Sequence, residues 1–145
     1  MTAKQAQTVM GGPVHVSPSL NPNPGSQSSC LYGPEGSLPG TLLVKVSWDH
    51  ESITNFAGLH SGHATVVPGT TPGGATIPPA QYTKVSVDGT TAYWLPPPPA
   101  PAGSNFAADT SSLSATKHGY VVTLNSMALT QGQNQQALGL ILGRL

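Results

Sequence analysis

Charge is the property that this sequence lacks most. Only 7% of its 145 residues are charged, and five Lys or Arg balance five Asp or Glu, whereas a soluble domain typically carries about 25%. Without a basic cluster, the chain has no electrostatic footprint for nucleic acid or for an anionic membrane surface. Nucleic acid is therefore not an expected partner, and five acids leave few carboxylates that could pair for acid–base catalysis.

Cysteine is scarce as well. Cys30 is the only one, so no disulfide can form within the chain. A single cysteine in an apolar strand more often packs as a small hydrophobic side chain than acts as a nucleophile. In an exported protein it would alternatively pair with a cysteine of another chain.

Long apolar runs and a visible targeting segment are also missing. No stretch approaches the roughly 18 consecutive apolar residues of a membrane-spanning helix, and the first residues have no apolar signal core. Low charge is common in exported bacterial proteins, so we expect an extracytoplasmic protein, secreted or attached to the cell envelope, from which a leader has been removed. Membrane contact would then be limited to a removed lipid anchor. A cytoplasmic location is the second expectation.

Proline and glycine, in contrast, are abundant, with 15 and 17 residues. They concentrate near residues 17–27, 68–79 and 96–110, between segments with regular hydrophobic periodicity. Such a distribution is typical of the loops of a folded domain and not of a disordered chain. The length fits one domain, so residues 1–145 are predicted to form a single domain with Pro/Gly-rich loops in these three regions.

Two segments carry the same helix-start signature. Thr2 to Gln5 and Thr130 to Gln133 both have the capping-box pattern T-x-x-Q, which predicts a helix near each end of the chain. A third helix is predicted to begin around Asp49 to Ser52. Apolar side chains then recur at helical spacing: Ala3, Ala6, Val9 and Met10; Ile53, Phe56 and Ala57, with His60 on the same face; Leu138, Ile141, Leu142 and Leu145.

Between the helices the apolar period changes to two, which predicts strands. Asp88-Gly89 and Lys117-His118-Gly119 lie between such segments and predict two hairpins. A strand over 41–48 places Leu42, Val44, Val46 and Trp48 on one side, and a shorter strand is expected around 28–32. The predicted class is α+β: an antiparallel sheet of five or six strands, with the N- and C-terminal helices packed on one face.

The order of these motifs resembles small extracytoplasmic domains of mycobacterial and other actinobacterial lipoproteins. The resemblance lies in Met10-Gly11-Gly12-Pro13-Val14 after the first helix, in Ser28-Ser29-Cys30-Leu31-Tyr32, in the valine-rich segment 42–48, and in Val87-Asp88-Gly89-Thr90-Thr91-Ala92-Tyr93-Trp94. It implies an α+β domain of the cell envelope. Many such domains have no assigned activity, so the resemblance implies no catalytic residue.

Aromatic side chains near a stiff proline segment favour a binding role. Tyr93-Trp94-Leu95 runs directly into the Pro96–Pro101 segment, and Trp48 ends another strand. These rings also fit a role in internal packing. If they line a cleft between helix and sheet, the predicted ligand-binding residues are Trp48, Phe56, Tyr93 and Trp94, and the ligand is apolar or uncharged because the chain has few charges to recognise ions.

A metal site is the alternative chemistry. Imidazole and carboxylate are zinc ligands, so His60 and His63 with Asp49 or Glu51 would suit a metal-dependent hydrolase. The H-x-x-H spacing alone is a weak pattern, and Gly62 argues against a continuing helix there. No Ser-centred hydrolase elbow and no phosphate-binding loop is found. We therefore expect no enzyme, no metal and no cofactor.

The sequence thus predicts a non-catalytic extracytoplasmic binding or accessory domain of the cell envelope. Its partner would be a small apolar or uncharged ligand or another protein. The metal-dependent hydrolase is one alternative. A structural subunit of an envelope complex, which buries the apolar stripe with Leu138 and Leu142 against another chain, is the other.

Overall fold

A computed structural model describes residues 1–18, 25–36, 40–60, 82–98 and 110–145. The chain forms three helices and seven strands: α1 (Ala3–Met10), β1 (His15–Pro18), β2 (Gln27–Gly33), β3 (Leu42–Ser47), α2 (His50–His60), β4 (Thr83–Val87), β5 (Thr90–Leu95), β6 (Thr110–Lys117), β7 (Tyr120–Met127) and α3 (Gln131–Leu142). No helix in these ranges is long and apolar enough to span a bilayer. The fold is α+β, as predicted.

All seven strands belong to one antiparallel sheet in the order β1-β2-β3-β7-β6-β5-β4. Both predicted hairpins are present, each with a two-residue turn; the second turn is one residue shorter than predicted because Lys117 belongs to β6. Asp88 and Gly89 join β4 to β5, and His118 and Gly119 join β6 to β7, all with positive φ. This left-handed pair matches the twist of the strands and gives each hairpin its register.

The hydrophobic core lies on one face of the sheet. Strand alternation points Leu42 and Val44 of β3, Leu113 of β6, and Val122 and Leu124 of β7 to the same side, and their register partners follow the same pattern. The buried side chains of α1 and α3 join this cluster: Ala6, Val9, Ala137, Leu138, Ile141 and Leu142. We call this side the core face.

Both terminal helices begin where the sequence predicts. The Thr2 and Thr130 hydroxyls accept from the amides of Gln5 and Gln133, and each glutamine side chain accepts from the amide of its threonine. Each capping box therefore satisfies amide groups that have no partner inside the helix. α1 ends at Gly11, whose φ of 78° is the left-handed conformation that glycine adopts without strain.

The opposite side of the sheet, which we call the second face, is polar along its central strands. Ser112, Ser114 and Thr116 of β6 and Thr123 and Asn125 of β7 share this face by alternation and register. α2 contacts β7 here. The sheet therefore separates a hydrophobic core on one side from a polar face that α2 partly covers.

Two details differ from the sequence predictions. The sheet has seven strands, and the additional one, β1, occupies the start of the region expected to be a loop over 17–27. Pro18 fits there because β1 is an edge strand, where a missing amide costs no ladder hydrogen bond. β3 ends at Ser47, so Trp48 does not continue the apolar row and is 40% exposed. The predicted loop over 68–79 lies outside the described residues, as does 99–109 of the predicted loop 96–110.

Candidate functional site

A polar cavity of about 360 Å³ lies between α2 and the second face. Its floor consists of hydroxyl and amide side chains from the three central strands β3, β7 and β6. Ser52, Asn55 and Phe56 of α2 and Tyr82 before β4 line it as well. The strand residues that line it are Lys45, Ser47, Ser112, Ser114, Val121, Thr123 and Asn125.

Several of these polar groups have unused hydrogen-bonding capacity. Ser114 Oγ donates to Thr123 Oγ1 across the strands, at a long 3.4 Å. The side chains of Ser47, Ser112 and Asn125 form no hydrogen bond in the described part of the chain. Ser47 is only 2% exposed as a residue, but its Oγ is not among the fully buried polar atoms that lack a partner in the described part of the chain, so the hydroxyl opens onto the cavity. A ligand or water in the cavity would satisfy it.

An aromatic cavity of about 380 Å³ adjoins the polar one. Phe56 lines both cavities, and its ring meets that of Tyr93 edge to face with centroids 5.8 Å apart. The remaining walls come from α2, from β6 and from the β6–β7 turn: Ile53, Ala57, Thr116, Gly119 and Tyr120. We call the two cavities together the α2 cleft.

The α2 cleft follows β6 along its length. Ser112 and Ser114 line the polar cavity and Thr116 lines the aromatic one. Because alternate residues of a strand are about 7 Å apart, these three positions span about 14 Å. The cleft therefore offers an elongated site in which hydrogen-bonding groups give way to aromatic walls.

The side chains that line the α2 cleft carry almost no charge. Lys45 is the only charged side chain among the described residues that line it, and no Asp or Glu does. Burial raises the pKa of the Tyr82 phenol above its usual range near 10. Tyr82 therefore keeps its proton throughout the physiological pH range and presents a neutral hydroxyl.

Asp49 fixes the start of α2 and thereby the wall of the cleft that faces the sheet. Its Oδ1 accepts from the Ser52 amide at 2.7 Å, and its Oδ2 accepts from the Ser52 hydroxyl at 2.7 Å. These bonds from Ser52 to the carboxylate hold the pKa of Asp49 below its usual value. The carboxylate predicted as a metal ligand is thus engaged in capping the helix.

The four aromatic residues predicted to bind ligand are divided by the structure. Phe56 and Tyr93 lie together in the α2 cleft. Trp48 lines neither cavity, but its ring contacts that of Tyr120, which lines the aromatic one, with centroids 6.4 Å apart, and its Nε1 donates to the Gly25 carbonyl. Trp94 is 6% exposed and belongs to the hydrophobic core on the other face. The candidate site therefore does not include Trp94.

The structure describes only part of the predicted metal cluster. His60 is the last residue of α2, and His63 lies outside the described residues. Among the residues that the structure describes, no group of three or more His, Cys, Asp or Glu could hold a metal ion. Cys30 is half-buried and packs against the core, as a small hydrophobic side chain would.

A larger groove of about 640 Å³ lies on the other side of the molecule, between α3 and the β4–β5 turn. Three of its six polar side chains, those of Gln5, Gln135 and Arg144, form hydrogen bonds within the protein, and no aromatic ring is among its described lining residues. Arg144 Nη2 donates to Gln5 Oε1 at 3.0 Å, and Gln135 Nε2 donates to the Ser86 carbonyl at 3.5 Å. The α2 cleft, with its unpaired hydroxyls beside aromatic rings, is the better candidate.

Sequence analysis missed the polar half of the cleft. The signal was present in β6 and β7, where Ser112, Ser114 and Thr116 and then Thr123 and Asn125 alternate with apolar residues. Such alternation also describes an ordinary solvated face. Only the position of α2 distinguishes a cleft from that simpler case. The chain matches no protein-family profile, no curated protein and no solved structure.

Proposed function

We propose that this chain is a non-catalytic extracytoplasmic binding domain that takes an uncharged ligand into the α2 cleft. The observation that carries the proposal is that one cleft combines hydroxyl and amide groups that have no partner in the described part of the chain with the Phe56–Tyr93 wall. Ligand sites typically combine aromatic walls with a few polar groups that fix orientation. The low charge of the chain, 7% of its residues, supports both an uncharged ligand and an extracytoplasmic location.

The structural-subunit alternative loses its main support. The stripe that would face another chain, with Leu138 and Leu142, is 0% and 2% exposed within this chain. The metal-dependent hydrolase gains no support from the described residues, since Asp49 caps α2. The binding proposal is therefore the one to test first.

A fragment screen followed by amide NMR tests the site. A set of uncharged small molecules that contain both a ring and hydroxyl groups is expected to shift the amide signals of Phe56, Tyr93 and Ser114. The affinity obtained from these shifts should fall by an order of magnitude in Phe56→Ala, because the side chain common to both cavities is lost. Leu31→Ala, which changes an exposed side chain on β2, is the matched control and should leave binding unchanged.

Two results would contradict the proposal. One is that no fragment of the set binds. The other is that the fragments shift only signals of the groove around Arg144 and Gln135. Location is tested separately by fractionation of the native host, where an exclusively cytosolic protein would contradict the extracytoplasmic part.

A further inference from the structure

We infer that the ligand of the α2 cleft is a neutral carbohydrate, an oligosaccharide in preference to a single sugar. This inference rests on the proposed function and specifies the chemical class of its ligand. It follows from three properties of the described residues: which hydrogen-bonding groups lack partners, what forms the opposite wall, and how charge is distributed.

The polar groups without a protein partner match a ligand that both donates and accepts hydrogen bonds. Ser47 and Ser112 each present a hydroxyl that can do both, and the Asn125 amide has two donors and an acceptor. None of the three side chains forms a hydrogen bond in the described part of the chain. An apolar ligand would displace water and leave these groups unsatisfied, which opposes binding. Vicinal hydroxyl groups of a sugar match them.

The aromatic walls supply the other half of carbohydrate recognition. Besides its hydroxyl rim, a sugar ring has a face of C–H groups, which is apolar and packs on aromatic side chains. Phe56 and Tyr93 stand edge to face at the junction of the two cavities, and Tyr120 lines the far end. A bound sugar could therefore bury its C–H face against these rings while its hydroxyls reach the β6 and β7 side chains.

The charge and the length of the α2 cleft restrict the class of ligand further. Lys45 is the single charged side chain among the described lining residues, and its charge lies near the carboxylate of Asp49, whose pKa it helps to lower. A strongly anionic or cationic ligand would thus find little to compensate its charge. The row Ser112, Ser114 and Thr116 extends over about 14 Å, which is longer than one sugar ring and suits a linear oligosaccharide.

Isothermal titration of the full chain tests the inference. The probes are neutral linear oligosaccharides of glucose, mannose, galactose, xylose and N-acetylglucosamine, and one uncharged fragment that binds the cleft serves as reference. We expect at least one oligosaccharide to bind. Thr123→Val should then weaken that binding roughly fivefold, because it removes one hydroxyl from the cleft floor at nearly constant shape.

Thr91→Val is the matched control. Thr91 is an exposed residue of β5 that lines neither cavity, so its substitution should leave the affinity unchanged. A second pair of variants keeps the test valid if Thr123→Val fails to fold. It consists of Ser112→Ala within the cleft and Ser86→Ala at an exposed position of β4. Thermal unfolding of each variant shows whether it is folded.

The binding experiments distinguish the carbohydrate inference from the proposed binding function. If fragments bind the cleft and none of the oligosaccharides binds, the carbohydrate inference is overturned and the binding function stands. If an oligosaccharide binds with equal affinity to Thr123→Val, Ser112→Ala and the parent chain, the cleft is not its site, and the inference is overturned as well. If neither fragments nor oligosaccharides bind, the proposed function fails and the carbohydrate inference fails with it.

Discussion

Single residues of α3 show how this domain tolerates one unfavourable group in its core. Asn134 is fully buried. Its Nδ2 donates to the Thr130 carbonyl at 3.0 Å, but its Oδ1 has no hydrogen-bond partner in the described part of the structure. The Thr130 carbonyl also accepts from the Asn134 amide, so the side chain adds a second bond to an acceptor that already has one. The unpaired Oδ1 is therefore a net cost.

Asn134→Leu is expected to stabilise the domain. The two side chains branch at the same atom, so leucine removes the unpaired acceptor at similar shape, and relief of one such group is worth about 1 kcal/mol. Chemical denaturation would measure the change in the free energy of unfolding. Asn125→Leu, on the half-buried second face, is the control and should show no comparable gain. A loss of stability in Asn134→Leu would contradict the prediction.

At the scale of elements, the helix and hairpin signals in the sequence were sufficient for most of the fold. The T-x-x-Q segments form capping boxes at Thr2 and Thr130, and both hairpin turns lie where predicted. These features depend on neighbouring residues alone, and this is why they are visible in a sequence. β1 was missed because its assignment depends on pairing with β2, and Pro18 obscured the strand pattern.

The candidate site was less predictable than the fold for the same physical reason. Phe56 and Tyr93 are 37 positions apart in the numbering, and only the packing of α2 on the second face brings their rings together. Trp94 was predicted to line the cleft, whereas the structure buries it in the core, because alternation alone cannot tell which of the two faces of β5 packs against the core helices. The sequence separates Tyr93 from Trp94 but does not say which one enters the core.

Capping of α2 by Asp49 should make this element sensitive to acid. Hydrogen bonds from Ser52 hold the pKa of Asp49 below its ordinary value of 3.8, so the unfolded chain takes up the proton at a higher pH than the folded one. The stabilisation is therefore present above pH 3.8 and is lost as the pH falls through the folded pKa. The Ser52 amide signal, followed by NMR against pH, should report this transition.

Asp49→Asn is the control for the capping prediction. Asparagine keeps an acceptor for the Ser52 amide but has no proton to gain, so the acid transition of the Ser52 signal should disappear while α2 remains. If Asp49→Asn retains the same transition, another acid is responsible for it and the assignment to Asp49 is wrong.

At the scale of the whole molecule, the two faces of the sheet have different roles. The core face holds the large buried side chains and both terminal helices, whereas the second face holds the polar floor of the α2 cleft. A cleft on a face that the core does not need can keep hydroxyls without a protein partner and still leave the fold intact. Stability and binding should therefore respond to different substitutions.

A matched pair of leucine substitutions tests this division. Leu138 of α3 is 0% exposed in the core, and Leu31 of β2 is 39% exposed on the second face. Leu138→Ala should lower the free energy of unfolding by about 3 kcal/mol, because it leaves a cavity in close-packed surroundings. Leu31→Ala should change it by less than about 0.5 kcal/mol, since a partly exposed side chain loses little burial. Denaturant unfolding measures both, and similar losses in the two variants would show that the second face also carries the stability of the domain.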